Sequence, residues 1–364
     1  MFERVAIIGV GLIGGSLGMA LLDRRLARSV VGIGRSEENL RLALTLQAVT
    51  EYTTDPAAGV RGADLIVLAT PVGAILPTLE RIASHLAPGA TVTDVGSTKE
   101  QIVARAETVI PSACAFVGGH PMAGAETAGV RHADRYLFEG AFWVLTPTPR
   151  TLPQALECLR RMAARLGSRV IELAPAEHDL MVAAVSHLPH IVAAALANTV
   201  GDMAGGDRAL SLAAGGFRDT TRIAASSPEM WRDIFASNRD KVLQMLWFFR
   251  HQIEQAETIL RAGDHGALTA WLAAARATRR AVPARVKGYL YDLHDLTVTV
   301  PDRPGAIASV TAALAAEGIN LCDLEILRVR EGEAGTVRLA FASIADRDHA
   351  AAVLSRNGIP VRVK

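Results

Sequence analysis

Short apolar runs alternate with helix-length segments over the first half of this chain, and that rhythm narrows the choice of fold sharply. The runs are Val5 to Val10, Val30 to Ile33, Leu65 to Ala69, Thr91 to Val95, Phe116 to Gly118, Phe142 to Thr146 and Val170 to Leu173. A strand that is apolar at nearly every position has both faces buried, which a parallel sheet covered by helices on both sides provides. Residues 1–174 are therefore expected to form a doubly wound α/β domain.

The pattern changes after about Pro175. Long Ala- and Leu-rich helical stretches follow, with breaks near Gly205, Gly206, Gly215, Gly216 and Pro228, and no strand-like alternation interrupts them. Residues 175–288 are expected to be an all-helical domain. Its segment Met245 to Phe249 concentrates large aromatics, which suits either a subunit interface or a buried intramolecular helix. The basic stretch Arg276 to Lys287, with Pro283 inside it, reads as a solvated helix end and a linker. From residue 293 the order strand, turn, helix, strand, strand, helix and tail predicts a small α/β sandwich: Leu296 to Val300, Pro301 to Gly305, Ala306 to Glu317, a strand from Ile319, Thr336 to Ala342, Asp346 to Asn357 and Pro360 to Val363.

Composition decides what such a chain can bind. It has 364 residues, and 38 Lys and Arg stand against 37 Asp and Glu, a formal net charge of +1. No global field exists to hold nucleic acid or an anionic membrane surface, so a small molecule is the expected partner. The three cysteines Cys114, Cys158 and Cys322 lie far apart, and no Cys or His stands at metal-ligand spacing, so neither a disulfide framework nor a metal site is expected. The start of the chain lacks the features of a signal peptide, and the apolar stretches read as broken short of the roughly 20 residues a membrane helix needs. A cytoplasmic protein is expected.

Gly9, Gly11 and Gly14 form Gly-x-Gly-x-x-Gly directly after the first apolar run, with Leu12 and Ile13 opening the helix behind it. Glycines at this spacing permit a tight turn and let a pyrophosphate approach the positive helix end. At the end of the second strand, where an NAD-specific site usually carries an acidic residue, stand Arg35 and Ser36. They would suit a 2′-phosphate, or Arg35 would stack on adenine and leave NAD acceptable. Thr70 and Pro71 lie at the carboxyl end of a further strand, where open α/β sheets bind ligands, although Pro71 also serves as a plain strand stop. Ser97 with Glu100 reads either as a capping box or as a hydroxyl on the cleft floor. His120 sits between glycines and Pro121, a rigid setting that exposes an imidazole suited to taking a proton near neutral pH. In the helical domain Pro189 is expected to break a helix, with Asp179, Ser186 and His190 on one face. Arg218 and Arg222 offer guanidiniums four residues apart, suited to a carboxylate. Trp231 packs beside them or serves as plain core.

Taken in order, Val10 to Leu17, Asp94 to Lys99, Gly119 to Glu126 with Gly129, and Ser186 to His190 with Gly215 to Ala224 resemble the prephenate and arogenate dehydrogenases of tyrosine biosynthesis. The resemblance covers the chain to about residue 288. Beyond it, Pro301-Asp302-Arg303-Pro304-Gly305 and Gly318-Ile319-Asn320-Leu321 resemble an ACT domain, a ligand-sensing module that pairs with copies of itself. The resemblance implies a Rossmann-type domain, an all-α dimerisation domain and an ACT-like sandwich. It also implies oxidative decarboxylation of prephenate to 4-hydroxyphenylpyruvate with NAD+, or NADP+ through Arg35. His120 would take the ring hydroxyl proton, Ser97 would orient that hydroxyl or His120, and Arg222 would clamp a carboxylate. His190, Ser186, Glu126 and Arg218 would line the substrate pocket. A homodimer is implied, as is tyrosine acting as feedback inhibitor at Asp302, Gly305 and Asn320. No chorismate mutase helix is expected ahead of the first strand.

Rival readings remain open on the sequence. An arogenate or dual-specificity cyclohexadienyl dehydrogenase differs only in the substrate's side-chain amine, which no residue decides. A 3-hydroxyacid dehydrogenase would commonly use a helix-borne lysine. A non-catalytic dinucleotide and amino-acid sensor would leave His120 and Arg222 without a role.

Overall fold

The structure is a computed structural model that describes residues 1–124, 127, 129–282, 294–328 and 335–363. The chain divides into two compact units, Met1–Gly288 and Tyr289–Lys364.

The first unit opens with β1 (Phe2–Ile8), α1 (Leu12–Asp23), β2 (Ala27–Ile33), α2 (Glu37–Thr45), β3 (Glu51–Thr53), α3 (Pro56–Gly59), β4 (Leu65–Leu68) and α4 (Val72–Ile82). It continues with β5 (Thr91–Asp94), α5 (Glu100–Val109), β6 (Ala115–Pro121), β7 (Phe142–Thr146), α6 (Pro153–Arg165) and β8 (Arg169–Glu172). The strands form one sheet in the order β3-β2-β1-β4-β5-β6-β7-β8. The order reverses at β1 and β4, which sets a crevice at the carboxyl ends of these strands. Alternate residues of β1 and β4 feed two cores. Val5, Ile7, Leu65 and Val67 belong to one face, and Ala6, Ile8, Ile66 and Leu68 to the other.

Two features depart from the sequence reading. The first six strands of the order are parallel, but β7 pairs antiparallel with β6, and β8 follows β7. The short edge strand β3 was not expected.

Helices follow: α7 (Pro175–Val182), α8 (Leu188–Asp202), α9 (Gly206–Ser211), α10 (Gly215–Thr221), α11 (Pro228–Ser237), α12 (Arg239–Ala262) and α13 (His265–Ala281). Pro189 does not break the helix. A π-turn, Ala183–His187, joins α7 to α8, so Pro189 falls in the first turn of α8, where a missing N–H is tolerated. The joined run Pro175–Asp202 is 28 residues and, by length and composition, apolar enough to cross a membrane, which corrects the reading that all apolar stretches break short. Its inward face carries buried His178, Asp179, His187 and His190, while Leu180, Met181 and Val185 on it are exposed. On α12 only Val242 is buried, and Leu243, Trp247, Phe248, Ile253 and Leu260 lie open on the single chain.

The second unit contains β9 (His294–Val300), α14 (Ala306–Ala316), β10 (Asp323–Arg328), β11 (Gly335–Phe341), α15 (Ile344–Arg356) and β12 (Val361–Val363). Its sheet runs β10-β11-β9-β12 with antiparallel pairing throughout. The strand expected from Ile319 begins at Asp323. Ile319 is instead buried in the core beside Leu314 and Leu354. The linker segment expected to join the two units lies mostly outside the described residues.

Candidate active site

Of the three glycines after β1, Gly9 and Gly14 stand where nothing larger fits. Gly9 has φ +97°, and a Cβ on it would stand 2.5 Å from the Ala69 carbonyl oxygen. A Cβ on Gly14 would stand 2.2 Å from the Gly9 oxygen, so α1 and the two strand ends pack backbone to backbone. A Cβ on Gly11 would meet nothing within 4 Å, so that side of the turn is open. Beside it the Thr70 hydroxyl is buried without a hydrogen-bond partner among the described residues. An open glycine turn at a helix start, flanked by an unsatisfied hydroxyl, fits a dinucleotide pyrophosphate and ribose. The Ser36 hydroxyl caps α2 by accepting from the Asn39 amide at 3.2 Å, which leaves its O–H able to donate to a ligand. Arg35 is exposed at the end of β2.

The carboxyl ends of β5 and β6 are bound together by one carboxylate. Asp94 accepts from the Gly96 amide at 2.9 Å and from the Gly119 amide at 3.2 Å, the residues just before Ser97 and His120. Lys99 pairs with the same carboxylate, and both side chains are completely buried. Burial pushes the Lys99 ammonium below its ordinary range, while Asp94 and Asp179 pull it back up.

Of the two readings of Ser97, the capping box with Glu100 does not form. The residue preceding α5 is Lys99, and its cap comes from elsewhere in the chain. Asp179 on α7 accepts from the Lys99 and Glu100 amides at 2.7 and 2.9 Å. The Ser97 hydroxyl is thereby left without a partner among the described residues. The same Asp179 lies 2.7 Å from His178 Nδ1, and His178 Nε2 lies 2.8 Å from His120 Nδ1. His120 is half-buried and part of β6, which runs past the strand end expected at Gly118. Its pKa lies well below the ordinary value of 6.5, chiefly through burial and then through His178, Lys99 and His187. His120 is neutral at neutral pH.

A second group adjoins this one. The π-turn inserts a residue, so His187 occupies the buried position that α-helical spacing assigns to Ser186. Asn238, between α11 and α12, donates to the Asp179 carbonyl at 2.7 Å and lies 3.2 Å from His187 Nδ1. His190 stacks on Trp231, ring centres 3.7 Å apart and 13° from parallel, with Phe235 at 5.3 Å from Trp231. His190 Nδ1 and Trp231 Nε1 are both buried without a partner among the described residues. Two unsatisfied polar edges on a stacked aromatic wall suit the polar groups of a ring-bearing ligand.

Comparison with known proteins agrees with this geometry. Residues 17–172 match the family model of the prephenate dehydrogenase nucleotide-binding domain, 174–274 that of the prephenate dehydrogenase dimerization domain, and 294–356 that of the ACT domain. The prephenate dehydrogenase of Bacillus subtilis (strain 168) is 39% identical over 352 residues, 96% of this chain and 95% of that protein. The chain belongs to the prephenate dehydrogenase family. A solved prephenate dehydrogenase from A. aeolicus, in complex with hydroxyphenyl propionate and NAD+, superposes with a TM-score of 0.73 at 32% identity, covering 77% of this chain and 98% of that one. Synechocystis arogenate dehydrogenase superposes with a TM-score of 0.68 at 36% identity, covering 76% and 99%.

Of the residues expected in the site of this family member, the structure gathers His120, His190 and the Ser97 loop around one hydrogen-bonded network. Ser186 is half-buried beside it. Arg218 on α10 and Arg222, in the turn Arg222–Ala225, are both exposed on one chain, and that turn packs against α8, which carries His190. Glu126 lies outside the described residues. Asp302, Gly305 and Asn320 are exposed in the second unit, Gly305 with φ +87° just ahead of α14. Sequence reasoning missed His178, His187 and Asn238 and gave Asp179 no role. The readable signal was the adjacent His178-Asp179 pair running into the apolar stretch Leu180–Val182, polar groups that burial leaves in need of a partner.

Proposed function

We propose that this chain catalyses the oxidative decarboxylation of prephenate to 4-hydroxyphenylpyruvate with NAD+ as hydride acceptor. The observation that carries the reading is the place of His120 at the carboxyl edge of the sheet, one strand from the Ser97 loop and tied to it through Asp94. It stands in a chain 39% identical to a curated prephenate dehydrogenase over nearly its whole length.

The residues divide the work as follows. The Gly9 to Gly14 turn, with Leu12, Ile13 and Thr70, holds the dinucleotide and Pro71 turns the chain away from it. The bound dinucleotide supplies the acceptor for the hydride that leaves the hydroxyl-bearing ring carbon. His120 takes the hydroxyl proton as the C–O bond becomes a carbonyl. Ser97, free of a cap, orients that hydroxyl. Loss of carbon dioxide sends the electron pair of the broken C–C bond into the ring, and the oxygen recovers the proton from His120. The net change is one hydride transferred and one carbon dioxide released. A stacked His190 and Trp231 bound the ring pocket, and Arg222 clamps a substrate carboxylate.

Residues 1–174, 175–288 and 293–364 are read as dinucleotide, substrate and regulatory parts. The exposed apolar side chains of α12, with Leu272 on α13, support a homodimer. Tyrosine is the regulatory ligand we assign to Asp302, Gly305 and Asn320. Arg35 supports NADP+ as a second cofactor. The test is turnover of prephenate and arogenate, each with both dinucleotides, in the wild type and in His120→Asn. Loss of a general base lowers turnover by roughly 10²- to 10⁴-fold with dinucleotide affinity retained. Arogenate turned over in preference to prephenate would replace the substrate, and unchanged turnover in His120→Asn would remove the base.

A further inference from the structure

A histidine base has two nitrogens, and the chain of groups behind His120 decides which one works. Asp179 accepts from two backbone amides, and its Oδ1 also lies 2.7 Å from His178 Nδ1. A carboxylate has no proton to give, so His178 Nδ1 is the donor. In a neutral His178 the other nitrogen, Nε2, is then an acceptor. It faces His120 Nδ1 at 2.8 Å, so the shared hydrogen belongs to His120 and the His120 lone pair is left on Nε2. The two rings meet edge to face, at 70°, and Nε2 of His120 has no partner among the described residues. His178 and Asp179 are each 1% exposed, so water does not compete for either link.

We propose that His178 and Asp179 are positioning residues that hold His120 in the Nδ1–H tautomer, so that Nε2 receives the substrate's hydroxyl proton. This rests on the reading of His120 as the base. In the step the O–H bond breaks, its electron pair stays on oxygen, and an Nε2–H bond forms. The imidazolium that results is stabilised through His178 by the Asp179 charge. Lys99, which opposes that charge, is itself paired with Asp94. Asp179 is the carboxylate that reaches His120 from the helical side, through His178. The same carboxylate caps α5, so the device that sets the tautomer also registers α7 against the Ser97 loop.

The experiment uses NMR of the full-length enzyme labelled with nitrogen-15 in histidine, alongside steady-state kinetics with prephenate and NAD+. Wild-type His120 should show a protonated Nδ1 and a bare Nε2. Asp179→Asn presents an amide N–H to His178 and reverses the chain, so His120 should move to the Nε2–H form. The turnover number should fall by between about 10-fold and 10⁴-fold, the span of lost orienting partners, with both KM values within about threefold. His178→Leu keeps the α5 cap and removes only the acceptor. It should give His120 as a mixture of tautomers with a similar loss, and it carries the test if Asp179→Asn does not fold. A wild-type proton on Nε2, or variants that retain both tautomer and turnover, would overturn the proposal. If the wild type does not act on prephenate, the activity reading fails while the tautomer result still stands by itself.

Discussion

Lys99→Met isolates the ion pair beneath the site. The substitution keeps the unbranched stem and most of the volume, so little cavity is left, and it removes the only cation paired with Asp94 among the described residues. Asp94 is fully buried and keeps two backbone donors, Gly96 and Gly119. Removing one partner of a buried pair leaves an uncompensated charge and costs about 3–5 kcal/mol. For a unit of this size each kcal/mol moves the midpoint by about 2–4 °C, so Tm should fall by about 6–20 °C. The assay is thermal unfolding at fixed protein concentration, followed through the near-ultraviolet signal of Trp143, with Asp94→Asn and the double variant in parallel. The double variant has no stranded charge, and Asn can still accept from one of the amides, so it should recover most of the loss. Turnover should also drop in Lys99→Met, because Asp94 holds the residues next to Ser97 and His120. A fall in Tm under about 2 °C, or a double variant no more stable than Lys99→Met, would mean that the Asp94 charge is compensated without Lys99.

Three further outcomes follow from other residues. His187 has a pKa of about 4 in the fold against 6.5 when unfolded, through burial. Between those values the unfolded state binds a proton that the native state does not, so stability falls by up to about 3 kcal/mol as pH drops from 6.5 to 4. Urea unfolding across that range should lose this slope in His187→Asn, and an identical slope would assign it elsewhere. Arg222→Ala should raise the prephenate KM with dinucleotide affinity unchanged, the stranded carboxylate costing roughly 2–5 kcal/mol, and a normal KM would move the clamp to Arg218. Arg35→Asp should weaken NADP+ by repulsion with its 2′-phosphate and spare NAD+, whereas equal losses would place Arg35 on the shared adenine.

The sequence was most legible where structure is local. Gly9 and Gly14 are dictated by backbone contacts within one strand-turn-helix unit, and the apolar strands by burial on both faces. It was opaque where a partner lies far away. Ser97 and Glu100 have the spacing of a capping box, yet a carboxylate 80 residues beyond Lys99 takes the amide. His178 meets His120 across 58 residues, and only the packing of α7 against the sheet edge makes that pair. Strand direction was equally hidden, since an apolar run such as Phe142 to Thr146 is the same whichever way it lies. The π-turn shows a finer failure. Helical spacing placed Ser186 inward, and one inserted residue put His187 there instead. Glu51–Thr53 is too short for alternation to register as a strand.

The most direct test of the proposed reaction follows reduced dinucleotide, carbon dioxide and 4-hydroxyphenylpyruvate together when the purified enzyme meets prephenate and NAD+. Oxidative decarboxylation yields the three in equal amounts, with the rate lowered by roughly 10²- to 10⁴-fold in His120→Asn. Reduced dinucleotide without carbon dioxide, no reduction with prephenate, or a His120→Asn variant at the wild-type rate would contradict it.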